Sequence, residues 1–401
     1  MRPLRRLIPL DEALGLVLER TRPIRASERV HILEADGRVA AQSITTGVSV
    51  PPFSRSAMDG YAVRAADTYG ASKMKPLRFT MKEKVYAGSV PQKPVSKGTC
   101  SEIATGAVLP KGADAVVMVE DTELDRRGVL VYDAVHPGQN VSKMGEDITP
   151  GTTVVAKGEV LNPSKIGALA AVGESHVSVY KKPLVAVVPT GDEVAELDKP
   201  LKPGQVYNIN SYTLGAVVKA NGGQARISSV VKDTNKDLTN AISQNDDCDI
   251  IVFSGGSSVG ERDIILDVLE KSGKIVFHGI AVKPGKPTIF GTVKGQLVLG
   301  MPGYPTACLS NAYILLAPVL RRMARLPERS TEVVEARMSR RIVSTTGRTQ
   351  FLTVLLEDGK AVPAFKESGA ITSMAFADGY IIIPHDVDLI EKDERVSVRL
   401  L

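Results

Sequence analysis

Hydrophobic positions change their period twice along the chain. Over residues 10–18 they fall at helical spacing (Leu10, Ala13, Leu14, Val17, Leu18) until Pro23 interrupts the run, and a second helix-like piece covers residues 30–41. From Val48 the texture becomes short β-rich runs cut by Gly and Pro, at 61–63, 77–79, 115–119 and 129–132, which predict a small all-β unit. Residues 162–172 read as helix again, with Asn162 as the N-cap and Pro163 at the first helical position.

After Pro183 the pattern alternates. Apolar strands are predicted at 184–188, 225–231, 249–253 and 274–278, with helices at 211–220, 238–244 and 263–271 between them and a longer helix at 306–325. Strand and helix at this spacing imply βαβ units with right-handed crossovers and a parallel sheet. From about Ser330 short strands return, at 351–356, 379–383 and 396–401, and suggest a small β-barrel or sandwich.

Length sharpens this picture: 401 residues exceed one ordinary core, so several domains are expected. A 43% hydrophobic content supports packed cores, and the 24% charged fraction argues against a disordered chain. The net charge of +5 is small and selects no partner, and the basic cluster Arg2, Arg5 and Arg6 reads as a solvated end. Aromatics are sparse and Trp is absent, which argues against a base-stacking platform for single-stranded nucleic acid. Cys100, Cys248 and Cys308 are widely spaced, so neither a disulfide framework nor a Cys-based zinc site is expected. No apolar run approaches membrane-spanning length and no signal-peptide pattern is present, so the expected compartment is the cytoplasm, with no membrane association.

In open parallel sheets ligands bind beyond the carboxyl ends of the strands. The polar and Gly-rich strings sit at those ends. Strand 184–188 runs into Pro189-Thr190-Gly191-Asp192-Glu193, strand 225–231 into Lys232-Asp233, and strand 249–253 into Ser254-Gly255-Gly256-Ser257-Ser258-Val259-Gly260, followed by Asp263 and a helix. A Gly-rich loop before a helix offers backbone N–H groups and a positive helix end to an anion, although glycines also simply permit tight turns. Glu193, Asp233 and Asp263 at the same rim would repel that anion unless a cation bridges them, a role that suits Mg²⁺. Taken singly, each acid also reads as a turn former or an N-cap. Lys283-Pro284-Gly285-Lys286-Pro287 puts two cations on a rigid turn, with a solvated hairpin as the alternative, and Met301-Pro302-Gly303-Tyr304-Pro305 is a second rigid turn. The five histidines lack metal-ligand spacing.

Outside this region lie Ser56-Ala57-Met58-Asp59-Gly60-Tyr61-Ala62, Thr105-Gly106-Ala107 and Gly145-Glu146-Asp147, which spacing alone does not place beside the strand ends. Together with Pro189–Glu193, Ser254–Gly260, Lys283–Pro287 and Pro302-Gly303-x-Pro305, these motifs resemble, in order and over essentially the whole chain, the molybdopterin molybdenumtransferase (MoeA) family, which includes the gephyrin E-domain. The resemblance implies a multidomain α/β plus β fold. Its parts would be an elongated discontinuous linker and dimerisation domain (1–49 and 145–182), a β-rich insertion domain (50–144), a central three-layer α/β molybdopterin-binding domain (183–327) and a C-terminal β-barrel (328–401). It implies a homodimer whose cleft combines both subunits, so that Asp59 and Thr105 reach the rim from the partner chain.

The implied reaction is insertion of molybdate, or tungstate, into adenylylated molybdopterin with hydrolysis and release of AMP. Carried over, Glu193 and Asp233 would hold Mg²⁺ or activate water, and Asp263 and Asp59 would join them in catalysis. Thr105, Asp147, Thr190, Gly255, Gly256, Ser258, Pro302, Pro305 and Ser373 would bind substrate, with Lys283 and Lys286 on molybdate or phosphate. A molybdopterin adenylyltransferase is a candidate delivering partner. Two positions depart from the family's pattern: Tyr304 stands where Asn is usual and Ser257 where Val is, and both leave the choice between molybdate and tungstate open. The competing readings are a molybdopterin adenylyltransferase and a non-catalytic dimeric scaffold of the gephyrin E-domain type.

Overall fold

The computed structural model describes residues 7–255, 264–364, 366 and 369–401. The chain divides into two compact units, one of residues 1–28, 37–39 and 180–401, the other of residues 29–36 and 40–179.

In the second unit a six-stranded sheet runs in the order Ala115–Met118, Gly60–Val63, Thr99–Ile103, Leu77–Val85, Gly128–Val131, Thr122–Asp125. Alternate residues of these strands, among them Tyr61, Val63, Phe79, Val117, Val129 and Val131, form one apolar cluster. The helix Pro163–Ala171 starts as expected: Asn162 Oδ1 accepts the Lys165 N–H and Pro163 needs no partner for a missing donor. The helix expected over 30–41 does not form. Ser27–His31 is a strand and Ile32–Glu34 a single 3₁₀ turn, because the apolar residues there serve a layer built on Leu161, Leu169, Val177 and Val179.

The other unit holds a six-stranded sheet in the order Gln224–Ile227, Leu184–Pro189, Ile250–Ser254, Gln296–Met301, Ile289–Val293, Lys274–His278. The first four are parallel, whereas Ile289–Val293 and Lys274–His278 are antiparallel to their neighbours. The strand at 274–278 therefore joins the sheet through an antiparallel pairing, not a parallel one. A tight hairpin at Lys294-Gly295 sets Ile289–Val293 against the other strands, and Lys274–His278, antiparallel to it, runs with the parallel four.

Both faces of the central strands are buried. Val185, Val187, Ile250, Val252, Leu297 and Leu299 point to one layer with Leu214, Leu315 and Leu320. Ala186, Val188, Ile251, Phe253 and Val298 point to the other with Leu238, Ile265 and Leu269. A period of two with both phases apolar is what a sheet between two helical layers requires. Helix Leu10–Arg20 joins the first layer through Ala13 and Val17.

The helix expected at 306–325 is continuous but not regular: Pro305–Asn311 and Ala317–Met323 are α-helical around a π turn at Ala312–Leu316. Pro318 has no N–H to give back to the preceding turn, and the wider turn accommodates its ring. Downstream, Thr349–Glu357, Lys360–Pro363, Val333–Met338, Arg395–Leu400 and Gly379–Ile383 pair in that order, and the last pairs back to the first. The result is a closed five-strand barrel filled by Met338, Leu352, Val354, Ile381, Ile383 and Val398. Among the described residues no helix is long and apolar enough to cross a membrane.

Candidate active site

The carboxyl end of the parallel sheet is built around Thr190. Its N–H donates to Ser254 O at 3.0 Å and it bridges Val231, so three chain segments converge on one residue. Gly255 follows at φ +107°, and a Cβ there would lie 2.4 Å from Thr190 O. Only glycine lets these two strand ends close up. The Gly255 N–H donates to Met301 O at 3.3 Å and so is spent on the sheet. Gly255 shapes the loop without offering a free amide to an anion. Gly256, Ser257, Ser258 and Asp263 lie outside the described residues.

Beside Thr190 the acids gather. Gly191, at φ +134°, leaves room for the Glu193 carboxylate, whose Oε2 would be 2.7 Å from a Cβ at that position. Asp233 is half-buried, and its carboxyl is held above the ordinary range, first by burial and then by the charges of Glu193 and Asp192. Thr190 eases that rise, yet among the described residues Asp233 Oδ1 and Thr190 Oγ1 are both buried without a well-formed hydrogen bond. No group of three metal-type ligands is preassembled among the described residues.

The next helix closes the opposite lip. Glu193 O and Ala195 O accept the N–H groups of Val206 and Asn208, which leads the chain into helix Asn210–Ala220. Asn210 Nδ2 donates to Gly303 O at 2.8 Å, and a Cβ at Gly303 would sit 3.6 Å from Gly255 Cα. Pro302 is buried and Pro305 opens helix Pro305–Asn311, so the 302–305 turn is fixed at both ends.

That seven-residue helix, about 10 Å long, connects the acids to the lysines. At its far end Asn311 is fully buried and donates from Nδ2 to Gly285 O (2.9 Å) and Thr288 Oγ1 (2.7 Å). Gly285, at φ +112°, is required there, because a Cβ would collide with the Asn311 amide at 2.5 Å. The Lys283–Pro287 turn is no solvated hairpin: Val282–Lys283 pairs in parallel with Thr349 and Gln350 of the barrel, and Lys283 Nζ donates to Thr345 Oγ1 at 2.9 Å. Lys286 is half-exposed on the same turn. Ser373 is buried, its Oγ accepting the Lys366 N–H at 3.2 Å, and its segment is tied to the helix by Thr306 Oγ1 donating to Ala370 O at 3.0 Å.

Three predicted residues belong to the other compact unit. Asp59 is exposed, and its Oδ1 accepts both the N–H (2.7 Å) and the Oγ1–H (2.9 Å) of Thr105, which lowers its pKa. It lines a cavity of about 170 Å³ with Tyr61, Lys84, Tyr86 and Glu102. Asp147 is exposed, its N–H bonded to Val50 O.

Sequence reasoning did not find Asp192, Asn210, Asn311 or Thr345. A polar amide inside an otherwise apolar helical run, as at Asn311, was the one available signal.

Matches to known proteins cover this same arrangement. Residues 8–173 match the MoeA N-terminal region (domain I and II), residues 186–322 a probable molybdopterin binding domain, and residues 335–401 the MoeA C-terminal region (domain IV). The chain belongs to the MoeA family. The family's chemistry makes it a transferase of molybdenum cofactor biosynthesis. A molybdopterin biosynthesis protein of Methanocaldococcus jannaschii is 34% identical over 100% of both chains. The molybdopterin molybdenumtransferase of Bacillus subtilis is 30% identical over 98% of this chain and 94% of its own. The crystal structure of the MoeA protein from Pyrococcus horikosii superposes with a TM-score of 0.84 at 40% identity, covering 98% of this chain and 99% of that one.

Proposed function

We propose that the chain inserts molybdate, or tungstate, into adenylylated molybdopterin with Mg²⁺-dependent cleavage of the pyrophosphate link and release of AMP. The observation that carries this reading is Asp233: a half-buried carboxyl, raised by burial and then by Glu193 and Asp192, whose buried oxygen lies beside Thr190 without a well-formed hydrogen bond among the described residues. Such a cluster is unfavourable by itself and becomes favourable around a hard cation with oxygen ligands. The donor set therefore fits Mg²⁺, with Asp233 and Glu193 as ligands. When bound, the ion neutralises and polarises the pyrophosphate.

The chain's own groups divide the remaining work. A carboxylate of the cluster orients the water that attacks phosphorus as the P–O bond to AMP breaks. The proton of that water passes to a carboxylate of the cluster that does not ligate the ion. Lys283 and Lys286, one helix length away, hold the oxyanion, and the segment of Ser373 packs against the same helix. Asp59, Thr105 and Asp147 complete the cleft from the partner subunit of a homodimer, and Gly256, Ser258 and Asp263 supply the loop toward the pterin. The domain division at residues 50, 145, 183 and 328 and a cytoplasmic location belong to the same reading. The metal-binding sulfurs are those of the pterin, so the three buried, free cysteines have no part in it.

The assay is incubation of the purified protein with adenylylated molybdopterin, Mg²⁺ and either oxyanion, following AMP. Release is expected with at least one oxyanion, and Glu193→Ala abolishes it while the dimer persists in sizing. No AMP with either oxyanion sinks the enzymatic reading in favour of a scaffold.

A further inference from the structure

We propose that Tyr304 is the stacking platform for the adenine ring of the substrate, which makes it the residue that grips the AMP half. The inference rests on the reaction proposed above and names the recognition element of that site. Tyr304 is 66% exposed, in a chain whose aromatics are few. A bare aromatic on a mobile loop would mean little, but this one is rigidly mounted. Its carbonyl accepts the Cys308 N–H at 2.9 Å, Gly303 O is held by Asn210, and prolines stand at 302 and 305. The entropy of presenting the ring is thus spent on folding and not on binding.

Gly369 lies beside one edge of the ring, where a Cβ would sit 3.7 and 4.0 Å from Tyr304 Cδ1 and Cε1, while two thirds of the residue stays open to solvent. Tyr304 also follows directly on Gly303, where a Cβ would sit 3.6 Å from Gly255 Cα at the lip of the acid cluster. Polarity along the site selects which heterocycle it meets. The pyrophosphate lies at the acids, and the dithiolene must extend along helix Pro305–Asn311 to the oxyanion at Lys283 and Lys286. The substrate's other half, ribose and adenine, then remains at the acid end, where Tyr304 stands. Every base offers a π-face, and loss of one aromatic partner weakens binding on the order of tenfold.

Two measurements test this. The chain has no Trp, so Tyr304→Trp installs a single tryptophan that can be excited apart from the tyrosines. AMP should quench it saturably at equilibrium and ribose 5-phosphate should not, whether or not turnover is seen, which separates failure of this inference from failure of the reaction. In AMP release, Tyr304→Ala should raise KM and the inhibition constant of AMP roughly tenfold, with kcat changed much less. Tyr304→Phe should restore both. The inhibition constant of ribose 5-phosphate should not move. Unchanged AMP inhibition in Tyr304→Ala overturns the proposal, as does quenching by molybdopterin but not by AMP, which would assign the ring to the pterin.

Discussion

Asp233 is the residue at which stability and chemistry oppose one another. Its carboxyl is raised above the ordinary 3.8 by burial and by two neighbouring acids, so folding disfavours its ionised form. The penalty is absent below the unfolded-state value, grows as pH rises toward the raised one, and is fully present above it. Asp233→Asn removes the charge and keeps the shape. The variant should therefore melt about 2 °C or more above the parent at pH 7, with the advantage shrinking to nothing as pH falls below 3.8. Millimolar Mg²⁺ should raise the melting temperature of the parent more than that of the variant, since the ion relieves a repulsion the variant lacks. Equal melting at pH 7, measured by calorimetry, would show that the fold already compensates the charge.

Helix Pro305–Asn311 is the element that gives the site its dimensions. One end carries the turn beside Gly255 and the other holds Gly285, with Thr306 tying the segment at Ala370 between them. Asn311→Ala strips a buried donor from Gly285 O and Thr288 Oγ1, at a cost of about 1–3 kcal/mol. Because that donor seats the lysine turn, KM for the oxyanion should rise several-fold before kcat falls. A lower melting temperature with an unmoved oxyanion KM would reduce Asn311 to a purely structural part.

Much of this element was legible beforehand: the helix, both rigid turns and the strand ends all follow from apolar period and from Gly and Pro positions. The π turn before Pro318, the antiparallel pairing of Lys274–His278 and the pairing of Val282–Lys283 with the barrel were not. The π turn answers to the neighbouring Pro318, whereas the two pairings depend on partners distant in sequence, which periodicity does not encode. The same limit hid Asn210 and Thr345, whose single hydrogen bonds reach 93 and 62 residues along the chain. It also explains the false helix at 30–41, where local spacing suited a helix and tertiary packing selected a strand.

At the scale of the molecule, the predicted site residues fall into two groups. Thr190, Glu193, Asp233, Gly255 and the lysine turn lie in the unit containing residues 180–401, while Asp59, Thr105 and Asp147 lie in the unit of residues 40–179. Asp59 and Thr105 hold each other through two hydrogen bonds on an exposed surface, so their pairing is complete without the acids. If the cleft combines groups from both subunits of a homodimer, two crippled chains should repair one another. Asp59→Asn and Asp233→Asn should each be inactive alone. Unfolded together and refolded, they pair at random, and half of the dimers are mixed. In a mixed dimer one cleft collects both substitutions and the other collects neither. Activity of the mixture should then return to about one quarter of the parent's, the statistical value for a twofold site. A cleft built within one chain predicts no recovery at any mixing ratio, because every copy keeps its own defect. Sizing each variant first is essential to the comparison, since a monomeric variant would also fail to complement. A dimer that stays inactive after mixing assigns Asp59 and Asp233 to the same chain.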